Sequence, residues 1–229
     1  SRKLHEEEVL DEQTTFILRC LKENETGDAN LFVSRYRDLY AWDYAQGKSG
    51  TWYRCEEGYW KRDDTKQRYK SFDALAGQYD DVASKMQEKK LCDDLSGRAE
   101  AIRTTRRRSA VLETLSAYLS IPHGSRWNPA IGELPCANGV IVNLKNGKTR
   151  QAKATDLIRT YCPTKYDPNA QCLKFQTFLE EIFLGEKGLI DFVQRLLGYT
   201  LLGDPCEEIV VIFYGPEGRN GKGTLTQTL

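Results

Sequence analysis

The chain has 229 residues, and its 33 Lys and Arg balance its 33 Asp and Glu, so the formal net charge is zero. With 40% hydrophobic and 29% charged residues it should bury an ordinary core, in one large domain or two small ones, and it is not a disordered chain. Neutrality removes the simplest case for nucleic-acid binding, and the longest apolar run, Ile209 to Tyr214, is far short of the roughly 20 residues of a membrane helix.

Residues 1–8 hold no apolar stretch behind their positive charges, so they do not read as a secretory signal. Residues 6–24 read as a helix with Leu10, Phe16, Ile17 and Leu21 at helical spacing. Asn24 to Asp28 should break it, and Asn30 should cap a second short helix ending at Tyr36. From Leu39 the pattern turns to aromatic-rich extended segments, Leu39–Tyr44, Thr51–Cys55 and Tyr59–Arg62, separated by Gln46–Gly50 and Glu56–Gly58. This predicts a small β-meander carrying Trp42, Tyr44, Trp52, Tyr53, Tyr59 and Trp60. These rings can stack on single-stranded bases, but the expectation favours the core of a small sheet with few other large residues.

A helix over 71–90 should bury Phe72, Leu75, Tyr79, Val82 and Met86, and a longer one is expected from Ser96 to Leu119. The first half of that helix holds Arg98, Arg103, Arg106, Arg107 and Arg108 against Glu100 alone. Arg103, Arg106 and Arg107 share a face at i, i+3 and i+4, which makes them candidate DNA-phosphate contacts. The competing expectation is a solvated or subunit-facing surface paired with acidic neighbours. Pro122 to Pro129 is turn-rich and marks a boundary; His123 lies in it and reads as a polar surface residue. A hairpin should follow, Val140–Leu144 and Lys148–Ala152 about Asn146-Gly147. Two amphipathic helices then run from about Cys172 to Leu184 and from about Lys187 to Leu202, the second ended by Gly203-Asp204-Pro205.

Seven cysteines (Cys20, Cys55, Cys92, Cys136, Cys162, Cys172, Cys206) form no CxxC pair, and His5 and His123 are the only histidines, which argues against a zinc finger. Scattered buried thiols fit a reducing, cytoplasmic compartment, and no membrane partner is expected. Charge is also laid out in blocks. Lys145 to Lys174 has seven cations against Asp156 and Asp167, whereas 176–209 has seven acids against Lys187 and Arg195. Adjacent blocks of opposite sign suit head-to-tail subunit contacts as well as they suit DNA.

The last stretch carries the chemistry. Ile209–Tyr214 is a continuous run of β-branched and aromatic residues, as in a strand buried on both faces. It leads into Gly215-Pro216-Glu217-Gly218-Arg219-Asn220-Gly221-Lys222-Gly223-Thr224 and then a segment able to start a helix. Strand, glycine loop with lysine, and helix form the setting of a phosphate-binding loop, in which backbone N–H groups cradle an anion and the lysine reaches the β/γ-phosphates. Gly215, Gly218, Asn220, Gly221, Lys222, Gly223 and Thr224 are therefore the candidate ATP site, with Thr224 the candidate Mg²⁺ ligand. The loop departs from G-x-x-x-x-G-K-[ST] in two ways: it is one residue longer, and Gly223 separates Lys222 from Thr224. Only five residues follow Thr224, so the strand has no partner strands of its own sheet and should borrow packing from the helices or stay disordered. The acidic strand end, the water-positioning group and the arginine finger of an NTPase are also missing. The chain is expected to be a cut fragment or a truncated reading frame, to contain no catalytic residue, and to hydrolyse no ATP by itself.

Three stretches resemble the phage/plasmid primase–helicase family, whose C-terminal half is a superfamily-three AAA+ DNA helicase and which includes the poxvirus helicase-primases. They are the meander from Trp42 to Trp60; the stretch Pro135–Gly147 followed by Tyr166-Asp167-Pro168; and Arg195–Gly203 leading into Tyr214-Gly215 and Asn220-Gly221-Lys222. The resemblance implies an α+β fold, mainly helical with two small antiparallel β units, ending in the first strand and P-loop of an incomplete AAA+ domain. It divides the chain into 1–124 (helical, with the meander), 125–206 (hairpin plus helical pair) and 207–229 (the start of the motor). It implies a collar, oligomerisation or DNA-contacting domain before an ATP- and Mg²⁺-dependent motor, with single-stranded or forked DNA as partner and a ring, hexameric in the family, in the bacterial cytoplasm. Two rivals stand beside it: a non-enzymatic DNA-binding or assembly module, and a nucleotide-kinase-type phosphotransferase. Kinases of that type also use Gly-Lys-Gly-Thr but carry the loop near the start of their fold.

Overall fold

The computed structural model describes residues 11–45, 50–128, 131–203, 207–215, 218 and 220–228, which fall into two units, 1–126 and 127–229. The expected helix residues 6–10, the turn residues Gln46 to Ser49, Pro129, Asp204 to Cys206, the loop residues Pro216, Glu217 and Arg219, and Leu229 lie outside the described residues.

In the first unit Asp11 caps α1 (Glu12–Lys22), its carboxylate accepting from Thr14 N at 2.9 Å and Thr14 Oγ1 at 2.7 Å. The break expected over Asn24–Asp28 shrinks to a corner at Glu23 and Asn24 (φ 52°), and α2 (Asn24–Tyr36) starts at once. Gly27 permits this tight return, since a Cβ there would lie 1.9 Å from the carbonyl oxygen of Cys20.

The meander forms as expected: β1 (Tyr40–Asp43), β2 (Thr51–Glu56) and β3 (Tyr59–Arg62), antiparallel in that order, with Trp42 opposite Trp52 and Cys55 opposite Trp60. The outer edge of β1 is covered by the stretch 119–121, where Trp42 N donates to Leu119 O at 2.8 Å and Ile121 N donates to Trp42 O at 2.9 Å.

Three helices follow, α3 (Arg68–Ala83), α4 (Lys89–Arg103) and α5 (Thr105–Tyr118). The helix expected over 71–90 thus stops at Ala83, and the continuous helix expected from Ser96 to Leu119 is broken at Thr104. Thr104 is extended (φ −81°, ψ 146°) and its hydroxyl accepts from Arg107 N at 3.3 Å, the geometry of an N-cap. These helices close on Phe32, Phe72, Leu75, Tyr79, Leu95, Ile102, Val111 and Leu115, all essentially buried. Each such large side chain contributes about 1.5–3 kcal/mol relative to exposure.

In the second unit the Asn146-Gly147 hairpin is present as β5 (Val140–Asn143) and β6 (Thr149–Gln151), and β4 (Glu133–Pro135) adds a third antiparallel strand that periodicity did not suggest. Two asparagines hold the chain that follows. Asn128 Oδ1 accepts from Arg159 N (2.7 Å) and Thr160 N (3.0 Å), while Asn138 exchanges bonds with Tyr166 N (3.1 Å) and Tyr166 O (2.9 Å). Asn138 and Tyr166, both in the stretch that carries the family resemblance, are thus joined backbone to side chain.

Both amphipathic helices appear, α6 (Leu173–Ile182) and α7 (Lys187–Leu201), and a short α8 (Lys222–Gln227) follows. Their shared core is small: Leu179, Val193 and Leu225 are buried, with Phe178, Ile182, Leu197 and Phe213 packed around them. Ile209–Tyr214 is a correction. It forms no strand, and Val210 and Ile212 are 88% and 82% exposed. A strand buried on both faces takes its hydrogen bonds from neighbours on both sides, and the described residues supply none. Phe213 packs on the helices, and Ile209 and Val211 line a shallow cavity beside Leu196 and Leu197 of α7. The fold is α+β, about half helical, with two small three-stranded antiparallel sheets. Among the described residues no helix is long and apolar enough to cross a membrane.

Candidate functional site: the glycine–lysine loop, the arginine cluster and the aromatic cleft

Gly221 sits in the left-handed region at φ 77° and opens α8, whose first residue is Lys222. A Cβ on Gly221 would lie 2.6 Å from Ile182 Cγ2 and 3.1 Å from Phe178, so only glycine fits this turn against α6. Gly215 is pinned from the other side: a Cβ there would fall 1.9 Å from Asn220 Nδ2 and 3.5 Å from Lys222 Nζ. The Asn220 amide and the Lys222 ammonium therefore lie close to the Gly215 backbone. A cavity of about 400 Å³ opens there, lined by Phe183, Leu189, Tyr214, Asn220 and Lys222. A lysine cation and an amide group beside a glycine backbone can hold an anionic group, while the rest of the cavity wall is apolar or aromatic. Gly218 and Gly223 are exposed, and Thr224 is exposed in the first turn of α8.

The arginine cluster is not the single face expected from spacing. The break at Thr104 puts Arg103 at the end of α4 and Arg106 and Arg107 in the first turn of α5. Arg107 turns inward, 16% exposed, and holds the fully buried Asp28 carboxylate through Nε (2.8 Å) and Nη2 (2.6 Å). The second oxygen of Asp28 accepts from Arg98 Nη1 at 3.1 Å and Tyr79 Oη at 2.8 Å. Arg107 also reaches Glu25, and Arg98 donates to the carbonyls of Leu21 (3.2 Å) and Asn24 (3.3 Å), closing the end of α1. Arg108 binds Asp73 and the carbonyls of Ile102 and Tyr69. Of the candidate DNA contacts, Arg103 is half exposed and paired with Asp80, and Arg106 is exposed with no ion pair among the described residues. In the second basic block, Arg150 is bound to Glu133 (2.6 Å) and Asp156 (2.7 Å).

This burial sets the titration behaviour of the interior. Desolvation first, and the Asp28 carboxylate second, push the Tyr79 phenol far above its ordinary range. Desolvation likewise pushes the Cys20 thiol up to about 11.

The meander sorts its aromatic rings in two. Tyr40, Tyr53, Tyr59 and Trp60 are buried, as a core reading requires. Trp42, Trp52 and Tyr44 instead line a cleft of about 640 Å³ against α5 and the start of α3. The sequence hinted at it only through Trp42 and Tyr44, which alternate on one face of a strand. Its other wall comes from α5 and from the turn that follows β3. Asp63 accepts from Gln67 N (2.7 Å), Arg68 N (3.1 Å) and Arg68 Nη1 (2.9 Å), which swings the Arg68 guanidinium over the Trp52 ring at 5.7 Å.

A family model described as D5 N terminal like matches residues 29–184, and that domain occurs in phage/plasmid primase–helicase proteins. The match runs from α2 through α6 and ends before Gly215. No curated protein matches the chain.

Proposed function

The chain belongs to the D5 N-terminal-like family, and on that premise we propose that it is the module preceding an ATP-driven, superfamily-three DNA helicase motor in a phage/plasmid primase–helicase. The observation that carries this reading is the order of parts. The family domain over 29–184 is followed by the loop in which Gly215, Asn220, Gly221 and Lys222 converge. In the working assembly that loop holds the triphosphate, with Gly218 and Gly223 leaving the backbone open and Thr224 toward Mg²⁺. When bound, ATP and Mg²⁺ supply the phosphoryl chemistry, while this chain's residues bind and orient the phosphates. The domain itself acts as a collar that meets DNA or neighbouring subunits, and Arg103 and Arg106 are its phosphate contacts. A hexameric ring in the bacterial cytoplasm remains the assembly this reading implies.

A protein carrying residues 1–229 together with the full motor should hydrolyse ATP and unwind forked DNA, and Lys222→Ala should abolish both. The 229-residue chain alone should turn over no ATP; turnover that vanishes in Lys222→Ala would overturn that part of the reading. Light scattering at several concentrations, with and without single-stranded DNA, separates the two roles of the collar. Concentration-dependent growth without DNA marks an assembly module, and growth only with DNA marks a DNA-contacting one.

A further inference from the structure

We infer that the cleft lined by Trp42, Tyr44, Trp52, Arg62, Lys66 and Arg68 binds one unstacked base of a single DNA strand, with its flanking phosphates on Arg62 and Lys66. This rests on the reading that the module meets DNA, and it adds a base site on the meander to the phosphate contacts proposed for Arg103 and Arg106, since Arg98, Arg107 and Arg108 are spent on internal acids.

The argument starts from the rings. Trp42 and Trp52 lie opposite each other on adjacent strands, with centroids 5.0 Å apart and planes tilted by 56°, and both line the cleft. Tyr44 is 61% exposed and stands at 87° to Trp42 with centroids 5.8 Å apart, so much of its ring is open to solvent. An exposed aromatic ring in a cleft of about 640 Å³, within the range of ligand sites, suits a flat heteroaromatic ring.

Polar groups complete the fit. The Arg68 guanidinium is fixed by Asp63 and stacked between Trp52 (5.7 Å) and Tyr69 (5.3 Å), so it acts as a rigid planar wall. Trp42 Nε1 and Arg68 Nε make no hydrogen bond among the described residues. Ser109 and Glu113 on α5 place a hydroxyl and a carboxylate opposite the rings, suited to base amino groups, while the Ser116 hydroxyl is taken up by the Glu113 carbonyl (2.7 Å) and the Tyr44 hydroxyl (3.4 Å). At the rim Arg62 is exposed and held only loosely by the equally exposed Asp64 at 3.4 Å, and Lys66 is exposed with no ion pair among the described residues. Stacking faces flanked by two available cations match a base joined to phosphates. A peptide added as a strand is the poorer fit, because the β1 edge beside the cleft is already taken by the stretch 119–121.

The test measures binding of a fluorescein-labelled oligothymidylate to the full chain by anisotropy, at low and moderate salt. Tyr44→Ala and the pair Arg62→Ala/Lys66→Ala alter exposed side chains, and far-UV circular dichroism checks that they stay folded. Each should weaken binding roughly 5- to 100-fold, the range of one lost base stack, and the pair should also flatten the salt dependence. A strand carrying 5-iododeoxyuridine should photocrosslink to a peptide containing Trp42 or Tyr44. If the wild type binds DNA and the variants bind equally well, the cleft is not the site while the DNA-contacting reading stands. If the wild type binds no single strand, both fail together, and the assembly role survives on its own scattering test. Thymidine monophosphate binding as tightly as the oligonucleotide reassigns the cleft to a free nucleotide and overturns the proposal of a strand.

Discussion

The first unit and the C-terminal stretch of the second solve the same problem in opposite ways. In the first, five helices and a meander close over a continuous apolar core, and even the fully buried Asp28 is saturated with donors. In the second, α6, α7 and α8 share only three buried residues, and Ile209, Val210, Ile212 and Tyr214 face solvent. Apolar sequence is not enough for burial. The first unit contains the partners of its own elements within 126 residues, whereas an apolar strand candidate finds none among the described residues of the second. The contrast also says where stability should be concentrated: substitutions in the buried core of the first unit should unfold it, whereas substitutions at the exposed positions Val210 and Ile212 should have little effect on folding.

The largest break of that contrast should come from Asp28. Asp28→Ala strands Arg98 and Arg107, which are 12% and 16% exposed, and leaves the Tyr79 hydroxyl unpaired. We expect a loss of about 3–5 kcal/mol in urea unfolding, the usual cost of removing one partner of a buried pair. A loss below about 1 kcal/mol would mean that the arginines relax into water and that the node is a surface feature.

Next in size is the alkaline response. Cys20 keeps its proton in the folded chain up to about 11, well above a free thiol near 8.5, and desolvation is the cause. The folded state therefore binds the proton more tightly. Its contribution is fully present below the unfolded value and is lost as pH rises through about 11. Tyr79, raised above its ordinary value near 10, acts in the same direction from about pH 10 upward. Unfolding midpoints should fall between about pH 8.5 and 11, by up to roughly 3 kcal/mol, and Cys20→Ala should flatten that fall. A slope unchanged in Cys20→Ala would assign the response to other groups.

The smallest effect sharpens the other side. Val210→Ser and Ile212→Ser should each shift stability by less than about 0.5 kcal/mol, because these side chains are already in water. Leu75→Ala, by contrast, should cost about 2–5 kcal/mol. Similar losses at the two places would erase the distinction between a closed and an open region.

What the sequence made legible follows the range of the interactions involved. The meander and the Asn146-Gly147 hairpin were readable because turn residues and alternation are local signals, and the helices over Leu173–Ile182 and Lys187–Leu201 because their apolar spacing is regular. The stop at Thr104 was missed because its only mark is one hydroxyl that accepts from Arg107 N, in an arginine-rich stretch with no proline or glycine. The arginines looked like a solvated face because the acids that bind them, Asp28 and Glu25, lie far upstream in the chain. The strand at Ile209–Tyr214 failed for a different reason: a β pattern describes a willingness to pair, and pairing needs a neighbour. At the candidate sites, composition marked Lys222 and its glycines directly, while the cleft depended on Asp63 steering Arg68, which no spacing rule reveals.

The Asp28 node has a consequence for how this sequence can drift. One carboxylate ties together an arginine from α4, another from α5 and a tyrosine from α3, so none of the four positions is free to change alone. A lineage that exchanges the acid for a neutral residue gains a tolerable interior only when both guanidinium groups go as well. In related chains Asp28, Arg98 and Arg107 should therefore be inherited as a set or abandoned as a set, whereas Arg106, tied to nothing described, should wander independently of them.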